Sequence, residues 1–133
     1  MNQSLNLLAR ILMAAIFIIS GIGKITGFRE AVHMAAATRV PAPEVAIACA
    51  AAIELLCGAA LLLGWRVALA SLVLFLYLIP VTILFHASKA GQSHAQLIEV
   101  LKNLAIMGGL LRFYLSSLGA RLMPLPSFGR RAA

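Results

Sequence analysis

The sequence predicts an all-α integral membrane protein, a four-helix bundle with a short interfacial helix between its first and second spans. Three observations carry that expectation. Of 133 residues, 62% are hydrophobic and only 11% charged, with a mean hydropathy of +1.00, more apolar surface than one soluble core of this length hides. Four apolar segments reach the length that a hydrocarbon core of about 30 Å requires of a helix. The cations stand singly at the ends of those segments rather than in a stripe.

The predicted spans run about 5–22, 45–64, 67–85 and 97–115, giving a transmembrane domain over 1–116 and a basic tail over 117–133. In the first span Arg10 precedes an apolar run, but Ser20-Gly21-Ile22-Gly23-Lys24 has no small-residue cleavage pattern, so the segment is expected to remain in place. Between the first two spans, Phe28–Ala37 is rich in helix formers with apolar residues at Phe28, Val32 and Ala35, and predicts the interfacial helix. Pro41 and Pro43 end that helix and open the second span. Gly64-Trp65-Arg66 is a tight corner in which Gly stops one helix, Trp lies at headgroup level and Arg anchors the next. In the third span Pro80 deprives the carbonyl of Leu76 of its helical partner, so a kink or local opening is expected there. The tail, with Arg121, Arg130 and Arg131, is expected to lie unfolded against a membrane surface.

Net charge is +7 and the isoelectric point about 10.5, yet no aromatic-interleaved basic patch exists, which argues against nucleic acid as a partner. The partner is the lipid bilayer. Arg10, Arg66, Arg112, Arg121, Arg130 and Arg131 fall on the side of the termini, against Lys24, Arg29, Arg39, Lys89 and Lys102 opposite. Six against five places both termini in the cytoplasm.

Ionisable groups within spans are costly and mark functional or bundle-facing positions. Arg10, Ala14, Phe17, Gly21 and Lys24 follow at spacings of four, three, four and three, one helical stripe expected to face protein, with Arg10 and Lys24 alternatively snorkelling to opposite interfaces. Glu54 stands roughly 13 Å into the membrane, on a face with Ala50, Ala51, Cys57, Gly58 and Leu61. A carboxylate there needs a proton or a partner, for which Arg10, Lys24, Lys102 and Asn103 are candidates; otherwise a neutral Glu54 only ties helices together. Glu99, Lys102 and Asn103, at i, i+3 and i+4, share a face on which Glu99 and Lys102 can pair. Asn103 is placed to bond another helix or a ligand headgroup, and Gly108-Gly109 to admit a neighbouring helix closely. His86 is expected at the interface. With no tight ligand spacing among His33, His86 and His94, no metal site is expected. The sequence has no aspartate, no C-x-x-C, no G-x-G-x-x-G and no Walker loop, and Cys49 and Cys57 are about 12 Å apart along a helix, too far for a disulfide.

Arg10 leading to Ser20-Gly21-Ile22-Gly23-Lys24-Ile25, then Glu54-Leu55-Leu56-Cys57-Gly58 and Leu63-Gly64, then Lys102-Asn103-Leu104-Ala105 and Gly108-Gly109, together resemble the DoxX family of small four-helix bacterial membrane proteins. The resemblance covers about the first 115 residues. It implies a four-span bundle in a prokaryotic inner membrane; some members are linked to membrane redox systems, including thiosulfate:quinone oxidoreduction and complexes associated with oxidative stress. The family motifs fall on Arg10, Ser20, Gly21, Lys24, Glu54, Gly58, Gly64, Lys102 and Asn103. The functional expectation is a subunit binding a small amphipathic ligand, with a quinone as candidate cofactor, its head near Glu54, Lys24 and Asn103. The candidate site is Lys24, Glu54, Lys102, Asn103, Arg10 and His86, and membrane or soluble redox proteins and further copies of the chain are the candidate partners. The rival readings are a scaffold for soluble proteins and an oligomeric proton-coupled transporter centred on Glu54.

Overall fold

The computed structural model describes residues 3–86 and 91–122, all arranged in helices and short connections. Helix α1 (Gln3–Thr26) is followed almost without a break by α2 (Phe28–Ala37); then come α3 (Pro43–Leu63), α4 (Val67–Val81), a π-helical turn (Thr82–His86) and α5 (His94–Leu122). The expected short helix is therefore present, as are the four long ones. The long helices alternate in direction: Arg10 lies by Gly64, Ile18 by Gly58, Gly21 by Glu54, Tyr77 by Glu54 and Asn103 by Thr82.

The interior mixes small residues with a few large apolar ones, while most of the large apolar side chains face outward. On α1 the buried positions are Ala14, Phe17 and Gly21, the predicted stripe; on α3 Ile47, Ala51, Glu54, Gly58 and Leu61 form the matching one. A Cβ added at Gly21 would stand 2.8 Å from Leu55 Cγ, and one at Gly58 3.0 Å from Ile18 Cγ1, so glycine sets the spacing of the α1–α3 seam. Leu12, Ile19, Leu56 and Leu63 instead point outward, at 67, 70, 72 and 78% exposure. Such a surface is stable only against hydrocarbon. This is a membrane protein.

Local chemistry explains the turns. Gly64 takes a left-handed φ of 75° after α3, and the amides of Trp65 and Gly64 donate to Ala60 and Leu61 carbonyls at 2.9 and 3.2 Å, a Schellman cap. Pro43 opens α3 at a position whose amide hydrogen is not needed. Pro80 does not break α4; the helix runs to Val81 and then widens into the π turn, where Thr82 Oγ1 donates to the Leu78 carbonyl at 2.7 Å.

Helices α1, α3 and α4 with its π continuation are long and apolar enough to cross a membrane. Helix α5, at 29 residues about 43 Å long, is long enough, but Glu99, Lys102, Asn103 and Arg112 dilute its apolar character. It continues to Leu122, past the predicted end of the bundle at residue 116, so the first part of the predicted tail is helical; residues 123–133 lie outside the described residues. Of Gly108 and Gly109, only Gly109 serves a close approach, that of Met13 from α1, whereas a Cβ on Gly108 meets nothing.

Leucine at Gly21 or Gly58 should lower stability by about 1–3 kcal/mol through overpacking, while leucine at Gly108, where there is open space, should leave it unchanged. Thermal unfolding in detergent compares the three.

Candidate functional site

Helices α1 and α3 cross so that Lys24, in the last turn of α1, meets Glu54 in the middle of α3. The ammonium lies 2.9 and 2.8 Å from the two carboxylate oxygens and also donates to Ser20 Oγ, one turn earlier, at 2.8 Å. Ser20 Oγ donates to Glu54 Oε1 at 3.2 Å, and Tyr77 from α4 donates its hydroxyl to the same oxygen at 2.8 Å. Glu54 is only 4% exposed, so three helices are tied through one buried carboxylate. Oε1 takes three donors whereas Oε2 takes the ammonium alone among the described residues, which leaves Oε2 with lone-pair capacity for another donor.

This cluster forms one wall of a cavity of about 610 Å³ at the end of the bundle opposite the termini. Phe17, Ile47, Leu78 and Ile106 supply apolar walls, and α2 roofs it through Ala31, Met34 and Ala35. On the facing wall Asn103, 6% exposed, donates through Nδ2 to Thr82 Oγ1 at 3.1 Å. Thr82, the first residue of the π turn, donates its hydroxyl hydrogen to the Leu78 carbonyl and accepts from Asn103 on its oxygen lone pair. Pro80, Val81 and Phe85 also line the space, so the local opening expected at Pro80 lies beside the cavity.

Lys24, Glu54, Lys102, Asn103 and His86 all line this one space, and Arg10 does not. The guanidinium of Arg10 packs against Gly64 at the other end of the bundle, where any side chain in place of glycine would collide with it. Arg10 is thus separated from Glu54 and sits by the carbonyl end of α3, where a cation is favoured. Lys102 pairs with Glu99 at the rim, and His86 Nδ1 lies 2.9 Å from Gln96 Oε1, tying the π turn to α5. Of the four partners considered for Glu54, the structure selects Lys24.

One member of the cluster, Tyr77, was not singled out in the sequence. Glu54 stands ten residues before Gly64 and Tyr77 eleven after Arg66, so similar depth was the available signal. Ser20, a position named by the family resemblance, lies one turn before Lys24. Among the described residues no group of three His, Cys or Glu converges on a point that would hold a metal.

A family model, DoxX, matches residues 5–87. The chain belongs to the DoxX family. No curated protein and no solved structure matches it. The DoxX match spans α1 to the π turn and so contains Ser20, Lys24, Glu54 and Tyr77; α5, with Lys102, Asn103 and Gly108-Gly109, lies beyond it. The DoxX portion alone therefore holds the ion-paired wall of the cavity, and α5 adds the amide wall.

Removing one member of a buried ion pair leaves the other uncompensated. Lys24→Met should destabilise the protein by about 3–5 kcal/mol, and Lys24→Met combined with Glu54→Met should recover most of that loss. Chemical unfolding in mild detergent measures both, and a double variant no more stable than the single would remove the pair from this account.

Proposed function

We propose that this DoxX protein binds the headgroup of a lipid-soluble quinone in its cavity and serves as the quinone-facing subunit of a membrane redox assembly. The observation that supports this most is the lining: a buried carboxylate with a half-buried ammonium and phenol on one wall, a buried amide on the other, and apolar side chains between. Its volume, about 610 Å³, falls in the range of roughly 300–1,000 Å³ for small-ligand sites. A ring with two opposed oxygens suits two opposed polar walls.

Asn103, with one amide hydrogen given to Thr82 and a second remaining, is the donor for a carbonyl oxygen; the Lys24 ammonium, whose three hydrogens go to Ser20 and the two Glu54 oxygens, adds its charge beside the ring, and Glu54 Oε2 is the acceptor for a hydroxyl hydrogen in the reduced form. Glu54, held by Tyr77 and Ser20, can keep its position while it takes or returns that proton. Electrons have to pass to a partner redox protein, since the chain has no C-x-x-C pair of its own. The proposal places the protein in the inner membrane with α5 as a fourth span and both termini cytoplasmic, following the distribution of Arg and Lys. The cavity then faces the opposite surface.

Glu54→Gln keeps the side-chain shape but loses the charged acceptor. Hydrogen bonds to charged groups are worth about 1.5–3 kcal/mol, so quinone retention should fall roughly 10- to 100-fold. Quinones extracted from wild type and variant, purified gently from native membranes, are quantified by mass spectrometry. Wild type that carries no quinone, or a variant that retains it fully, would contradict the proposal.

A further inference from the structure

The wall of the cavity between α1 and α5 is incomplete. Helix α1 carries Met13, Ile16, Ser20 and Gly23 at spacings of three, four and three, one stripe on a single side of the helix, and Gly27 follows just after its end. Helix α5 carries Glu99, Lys102, Ile106 and Gly109 at three, four and three. The two stripes meet where Met13 Cε packs on Gly109. Beyond that contact, towards the end opposite the termini, both stripes line the cavity instead of each other: Ile16, Ser20, Gly23 and Gly27 from one side, and Glu99, Lys102 and Ile106 from the other. Elsewhere α1 turns different residues, Ile18 and Gly21, to α3, where the packing is dense.

The residues at the edge of this gap are small or outward-facing. Gly23 is exposed, and a Cβ built on it meets nothing within 4 Å. Ile16 is 37% exposed. The exposed Glu99–Lys102 pair stands at the outer end of the gap, towards the headgroups, while Ile16, Gly23 and Ile106 flank the deeper part, which lies between helices whose outer faces are lipid-facing and so opens into the bilayer. The polar cluster sits behind it.

Resting on the quinone-binding reading of the cavity, we infer that the gap above the Met13–Gly109 contact is a lateral portal. The ligand is admitted from the leaflet opposite the termini, its head reaches Glu54 and Asn103, and its hydrocarbon tail remains between Gly23 and Ile106, extending into lipid. The site therefore selects tailed, membrane-resident ligands, and a headgroup without a tail gains only the polar contacts. Burial of hydrocarbon along this edge is the source of the difference.

The test uses the full chain in phospholipid nanodiscs, with empty nanodiscs correcting for partition, and two radiolabelled probes: a dimethoxy-methyl-benzoquinone bearing a decyl chain and the same ring without it. Gly23→Trp places an indole at the portal, where a Cβ meets nothing within 4 Å, and Ile16→Trp narrows the same edge two turns earlier on α1. Each should weaken the decyl probe by about tenfold and leave the tail-less probe unchanged. Gly108→Trp, on α5 but off the portal, should change neither. Undiminished decyl binding in both portal variants, while Glu54→Gln still weakens both probes, would overturn the portal and keep the site. Absence of binding by either probe to wild type would overturn the site and the portal with it. A wild-type dimer that Gly23→Trp dissociates would show that a second copy covers the gap, which also overturns the portal.

Discussion

A carboxylate in the middle of an apolar helix must be compensated within the bundle, and the Lys24–Glu54 pair, at 2.8 Å, is how this chain does it. Much of the architecture follows from that one requirement. To bring the last turn of α1 to the centre of α3, the helices must run antiparallel with Gly21 and Gly58 in the seam, since larger residues there would hold the pair apart. Lys24 satisfies both carboxylate oxygens, and Tyr77 then fixes α4 to the same point. A pair so desolvated contributes little net stability compared with apolar packing. Its retention is better explained by what lies next to it.

What lies next to it is space. Helical membrane proteins approach closely at small residues, and this chain puts Ala, Gly and Ser at its helix contacts while turning most of its Leu and Ile outward. At the end with the termini the packing closes around Leu61, Leu74 and Leu110, all fully buried. At the other end Pro80 and the π turn line the space, Gly23 and Gly27 leave it open at the end of α1, and α2 lies across the top. The result is a cavity whose polar groups are already bonded to one another, so they are oriented before any ligand arrives.

Length and hydropathy made the helices legible, and glycine and proline punctuation marked the ends around Pro43 and Gly64; the last helix, with no such signal at its end, runs to Leu122 rather than 115. The stripe from Arg10 to Lys24 was legible as a protein-facing surface, because periodicity depends only on helix geometry. Which cation meets Glu54 was not. Arg10 and Lys24 share that stripe, and only the antiparallel register of α1 on α3 sends Arg10 to Gly64 and Lys24 to Glu54. Lys102 was drawn to its nearer neighbour Glu99. The bond from Asn103 to Thr82 joins residues 21 positions apart on different helices, and no periodicity within one helix supplies it.

The central claim is that the Lys24–Glu54 wall and the Asn103 wall enclose one quinone headgroup. Photoaffinity labelling with an azido-benzoquinone bearing a short alkyl tail, followed by peptide mapping, tests it most directly. The account predicts labels confined to Ser20–Gly27 of α1 and Glu99–Ile106 of α5, competed away by unlabelled quinone. Labels at the Arg10–Gly64 end, or spread without competition over outward-facing residues such as Leu12, Leu56 and Leu63, would contradict it.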